Sequence, residues 1–102
     1  MPLARWFGDV TAGFLEVLVQ LGWRIVRVTV KLYGNLRRLL EAGQETMELD
    51  LPEGSTVGRV VDVLGLSRRE IGLTTIRERI VGEDFELGPG ETVDIFSVIG
   101  GG

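Results

Sequence analysis

The period of the apolar residues changes three times along this chain, and that succession restricts its fold more than any single motif. Residues 1–23 carry a helical repeat, and the period then drops to two. In Arg24–Tyr33, Val26, Val28, Val30 and Leu32 alternate with Arg27, Thr29 and Lys31, the pattern of a half-buried strand. Gln44–Leu51 alternates again, with Met47, Leu49 and Leu51 to one side and Glu48 and Asp50 to the other. The intervening Gly34–Gly43 reads as a connection with one helical turn at Leu36–Leu40, so the two strands predict a hairpin. Val57, Val60, Val61 and Leu64 then fall at i, i+3, i+4 and i+7, which predicts a helix. Pro52-Glu53-Gly54 ends the strand before it, Ser55 or Thr56 caps it, and Gly65 stops it. Ser67-Arg68-Arg69-Glu70 has the spacing of a capping box and opens a short turn. Strand character returns at Ile71–Ile76, near Arg79–Val81, and at Thr92–Val98 after a turn at Gly88-Pro89-Gly90-Glu91. The succession predicts an α+β fold, a mixed sheet wrapped on one helix.

With 102 residues there is room for one core. Two segments are expected: an N-terminal amphipathic helical extension over 1–23 and a sheet domain over 24–102. In the extension, Leu3, Phe7, Val10, Phe14, Val17 and Leu21 share a face, with Arg5, Asp9, Ala12, Glu16 and Gln20 opposite. Gly8, Gly13 and Gly22 weaken this helix. Burying the stripe yields ~1.5–3 kcal/mol per residue, while ordering ~20 residues costs ~1–2 kcal/mol each. Such a helix needs a surface: the outer sheet face near Ile25 and Phe96, a second copy of the chain through self-association, or another protein. An over-extended start codon is the competing explanation. No membrane span is expected, because Val17–Trp23 is the longest uncharged run of this apolar third, against the ~20 residues a span requires. Asp9 and Glu16 interrupt any signal-peptide core, and a cytoplasmic location is the expectation.

The chain holds no cysteine and no histidine. Disulfides, a thiolate nucleophile, a Cys/His zinc site and a histidine base are thereby excluded. Carboxylate chemistry, a binding role, or a chain that is itself the substrate remains. Residues 1–38 hold six basic and two acidic residues, and residues 39–102 hold five and thirteen, so a net charge of -4 divides into +4 and -8. That division argues against nucleic acid and for a basic protein partner. Glu83, Asp84, Glu86, Glu91 and Asp94 match no EF-hand spacing and read as solvated surface rather than a metal site. Arg37 and Arg38 read as surface arginines rather than a phosphate site.

The stretches VTVKLYGNLRRLLEAG, LPEGSTVGRVVDVLG and FELGPGETVDIFSVIGGG resemble the MoaD/ThiS sulfur carriers, a ubiquitin-like β-grasp family. The resemblance covers roughly residues 24–102 and is most specific where Leu87, Gly90, Glu91, Val93 and Ile95 run into Gly101-Gly102. It implies a non-catalytic carrier whose reacting group is the Gly102 carboxylate, with Gly100 and Gly101 as the tail. An E1-like adenylating enzyme would spend ATP and Mg to adenylate that carboxylate, and sulfur would then displace AMP to leave a thiocarboxylate. The implied acceptor is the molybdopterin synthase large subunit, in molybdenum cofactor biosynthesis. Thiamin synthesis and tRNA thiolation are sister roles, a ubiquitin-like modifier joined through Gly102 is an alternative, and a non-covalent binding module is a third. Ile99–Gly102 would carry the carboxylate ~13–14 Å past the sheet. The sequence departs from the family at Arg77-Glu78, where Asn-Gly is frequent and would favour a tight hairpin, and at Ser97, often proline. If Val93 and Ile95 face the helix, Phe96 faces outward and forms a docking patch with Val98 and Ile99.

Overall fold

The computed structural model of the chain describes residues 20–22 and 24–99. The expected helix over 1–23 lies outside the described residues except at Gln20–Gly22, as do Gly100, Gly101 and Gly102. Five strands and one helix follow in the expected order: β1 (Ile25–Tyr33), β2 (Thr46–Pro52), α1 (Val57–Leu64), β3 (Ile71–Ile76), β4 (Arg79–Ile80) and β5 (Thr92–Ser97). Two 3-10 turns, Gly34–Leu39 and Arg68–Glu70, complete the described structure. Predicted boundaries agree to within one or two residues, the margin by which element ends fray.

The strands form one sheet in the order β2-β1-β5-β3-β4. β1 and β2 are the antiparallel hairpin, with Val28 opposite Leu49. β5 lies parallel to β1, with Leu32 opposite Ile95, and antiparallel to β3. The strand latest in the chain is therefore the central one. Val26, Val28, Val30 and Leu32 of β1 and Val93 and Ile95 of β5 are all buried, as the alternation requires, beneath Val57, Val60, Val61 and Leu64 of α1.

Helix α1 has eight residues, so its ends matter as much as its stripe. Thr56 is the N-cap, its Oγ1 accepting from the Arg59 N–H at 3.4 Å. The Val57 and Gly58 N–H groups donate instead to the carbonyls of Phe85 and Glu83, at 3.0 and 2.8 Å. The loop leading to β5 thus finishes the helix start. At the other end Gly65 adopts φ 71°, the left-handed stop that its position predicts.

Arg77 and Glu78 join β3 to β4 with φ of 52° and 67°. The departure from Asn-Gly does not change the turn: two residues with side chains are held in the conformation that a tight hairpin demands.

Candidate functional site

The candidate site lies at the end of the molecule where β5 leaves the sheet. The Val98 N–H donates to the Glu70 carbonyl at 2.9 Å, which fastens the root of the tail to the second 3-10 turn. That turn is closed by the predicted capping box. Ser67 Oγ accepts from the Arg69 N–H at 3.2 Å, and the Glu70 carboxylate accepts from the Ser67 N–H at 2.9 Å. Arg38 ties the first turn to the second by donating to Glu70 and to the Asn35 carbonyl, the latter at 3.0 Å. The Ser67 N–H first, and the Arg38 guanidinium second, hold the Glu70 carboxyl below its ordinary value. Asn35, Leu36, Arg38, Arg69, Ser97 and Val98 border a cleft of about 130 Å³ at this junction. Gly34, at φ 64°, turns the chain off β1 so closely past β5 that a Cβ there would stand 2.1 Å from Ser97 Oγ.

A second set of ties braces α1. Arg68 donates to Glu83 at 2.7 Å and to Asp62 at 2.6 Å, which pushes its own pKa up and draws that of Glu83 down. Glu91 Oε1 accepts from the Gly88 N–H at 2.6 Å and closes the turn into β5. Its Oε2 has no hydrogen bond, although Arg77 Nη2 lies 3.3 Å away, close enough for attraction but outside hydrogen-bond geometry. Asp94 accepts from Tyr33 Oη at 3.0 Å. Glu83, Glu91 and Asp94 are thus each occupied by the fold, and among the described residues no three acids converge on a metal position.

Phe96 does face away from α1, as the alternation of β5 requires, yet it is half-buried. Its ring stacks on Tyr33 with centroids 4.2 Å apart and planes 11° from parallel. Leu73 stands opposite it on β3 and is 40% exposed. The outward apolar row is therefore Leu73–Phe96–Tyr33, running across three strands, with Lys31 Nζ 5.4 Å from the Tyr33 centroid. Val98 borders the cleft instead of this row, and Ile99 is 97% exposed at the start of the tail. Sequence reasoning named Phe96 and missed Tyr33 and Leu73. The outward position of Tyr33 in the β1 alternation was the available signal.

A ubiquitin-like β-grasp domain is the class that this fold defines, with its central strand leading out to Val98 and Ile99. The ThiS family profile matches residues 30–102, and the chain belongs to that family of small ubiquitin-like sulfur carriers. Such carriers are non-catalytic and work with E1-like activating enzymes and acceptor proteins. Comparison with curated proteins gave no match. Among solved structures, the Pyrococcus furiosus protein assigned as molybdopterin converting factor subunit 1 is 26% identical, with a TM-score of 0.59, over 72% of this chain and 99% of that one. SAMP1 from Haloferax volcanii is 21% identical, with a TM-score of 0.59, over 74% and 99% of the two chains. Urm1 from Trypanosoma brucei is 21% identical, with a TM-score of 0.54, over 78% and 98%. Among the described residues, no helix is long and apolar enough to cross a membrane.

Proposed function

We propose that this chain carries sulfur as a thiocarboxylate on Gly102 and delivers it to a molybdopterin synthase large subunit. The observation that carries the reading is the placement of β5: a strand held on both sides by β1 and β3 runs directly into Val98, Ile99 and three glycines. A rigid sheet anchors one end of the tail, and residues without Cβ atoms fit the narrow channel of an activating enzyme. The carboxylate is a poor electrophile at neutral pH, so an E1-like partner must adenylate it with MgATP before sulfur displaces AMP. The row Leu73–Phe96–Tyr33 is the surface on which that enzyme, and then the acceptor, would rest, with Val98 and Ile99 leading the tail onward. Similarity to the Pyrococcus furiosus subunit supports the molybdopterin route, with thiamin synthesis and tRNA thiolation as sister roles. SAMP1, a small archaeal modifier protein, shares this fold, and conjugation through Gly102 is the second reading.

The test is ATP–pyrophosphate exchange with the E1-like enzyme from the same cell. The native chain should support exchange and, with a sulfur donor, gain the mass of one sulfur-for-oxygen replacement. A chain extended by one residue after Gly102 should do neither while melting at the same temperature, because the addition lies beyond every described element. Equal exchange by the extended chain, with intact mass excluding trimming, would remove Gly102 as the reacting group. Conjugation would instead appear as ladders on other proteins.

A further inference from the structure

The sheet has two edges of unequal kind. β4 closes one with two residues, a length that offers little to pair with. β2 forms the other with seven, Thr46–Pro52, and among the described residues only β1 pairs with it. The hydrogen bonds of β1 fix which backbone groups of β2 face out. The Thr29 N–H donates to the Glu91 carbonyl at 2.9 Å and the Arg27 carbonyl accepts from the Gly90 N–H at 2.8 Å, both on the β5 side. Val26, Val28 and Val30 therefore turn their backbone groups toward β2, opposite Leu51, Leu49 and Met47. Thr46, Glu48 and Asp50 are left directing their N–H and C=O groups away from the sheet, in a row of three donor–acceptor sets ~6.8 Å apart. The Pro52 carbonyl, next in that row, is taken by the Ser55 N–H and Oγ at 3.1 and 2.6 Å, which ends it.

Free edge groups of this kind are a template for another strand, and the side chains beside them decide which strand it is. Residues 41–53 carry five acids, Glu41, Glu45, Glu48, Asp50 and Glu53, and no base. Asp50 is held by Arg27 at 2.8 Å. Glu45 and Glu48 are exposed, and their side chains make no hydrogen bond or ion pair among the described residues. Two copies of β2 laid antiparallel would oppose these acids. Pairing centred on Glu48 sets Glu48 on Glu48, and pairing centred on Leu49 sets Glu48 on Asp50; like charges directly opposite destabilise a ladder. A strand with lysine or arginine at alternate positions does the reverse. Its bases lie beside Glu48 and Asp50 on the outer face, and its intervening residues lie on the inner face beside Met47 and Leu49, where apolar side chains fit. We propose that the outer edge of β2 is a strand-addition site for an extended segment of a partner protein in which lysine or arginine alternates with apolar residues. The main chain supplies affinity, and the acids select the partner and exclude a second copy. The site uses neither the tail nor the Gly102 carboxylate, so it stands or falls apart from the carrier reading.

The probe is the peptide acetyl-KVKVKV-amide, added to the full chain and followed by amide hydrogen exchange. At ~90% occupancy the Thr46, Glu48 and Asp50 amides should exchange ~10-fold more slowly, with those of β4 unaffected. Acetyl-KKKVVV-amide has the same composition and charge without the alternation, and it should bind at least ~5-fold more weakly. Glu48→Lys removes no side-chain contact among the described residues and should weaken the alternating peptide ~5- to 10-fold, whereas Glu86→Lys, exposed and outside β2, should leave it unchanged. Equal binding of the two peptides, or protection away from these three amides, would reduce the edge to a diffuse acidic surface and overturn the proposal. Protection that appears on concentrating the native chain alone would give the edge to a second copy. Amides already protected in the dilute chain without peptide would give it to another part of the same chain, and either result overturns the basic partner.

Discussion

Tyr33 and Phe96 are 63 positions apart and stack face to face. Beyond the area it covers, such a pair is worth ~0.5–1.5 kcal/mol. Phe96→Ala should therefore lower unfolding free energy by about 1 kcal/mol or slightly more, well short of a core aromatic truncation at ~3–5 kcal/mol. A Tyr33→Ala/Phe96→Ala cycle in urea should return the coupling. Gly34→Ala should cost at least ~1–2 kcal/mol, because a Cβ disfavours left-handed backbone and would stand 3.2 Å from Ser97 Cβ even after the Ser97 hydroxyl rotates away. Arg77-Glu78→Asn-Gly should act in the opposite sense and raise the melting temperature, because both positions already have positive φ. Alternation alone told which way Phe96 points. It could not tell which ring lies beside it, because the parallel β1–β5 pairing that brings Tyr33 there joins segments with no local relation in sequence.

Among the elements, the strands and α1 were legible because their apolar period survives in the final packing. The connection after β1 was less so: a helical turn at Leu36–Leu40 was expected, and a 3-10 turn at Gly34–Leu39 formed. Its start is set by the close pass of Gly34 beside Ser97, a tertiary contact. The second 3-10 turn was legible from its capping box, yet its role in holding Val98 was not, since a backbone carbonyl leaves no trace in the sequence. This turn carries a pH signature. Glu70 and Glu83 both titrate below their ordinary values in the fold. Their contribution is thus complete above the unfolded value near ~4.3 and is lost as pH falls through the depressed folded values. Urea midpoints should decline as pH drops below that point, and Glu70→Gln with Glu83→Gln should flatten the decline. An unchanged slope in the double variant would detach these carboxylates from acid stability.

For the molecule as a whole, the buried apolar cluster among the described residues is drawn from Val26 to Ile95. A chain beginning at Arg24 should therefore fold, with circular dichroism keeping the sheet signal. A melting temperature lowered by more than ~4 °C would place the stripe on this sheet in cis, and no change would leave it to a second copy or a partner. The β2-β1-β5-β3-β4 order has a further consequence, one that concerns synthesis. While β4 emerges from a ribosome, β5 is still inside the exit tunnel, and the two hairpins have no strand to join them. A product that stops before Thr92 lacks the strand that joins the two hairpins, so its sheet cannot close and it stays open to proteases.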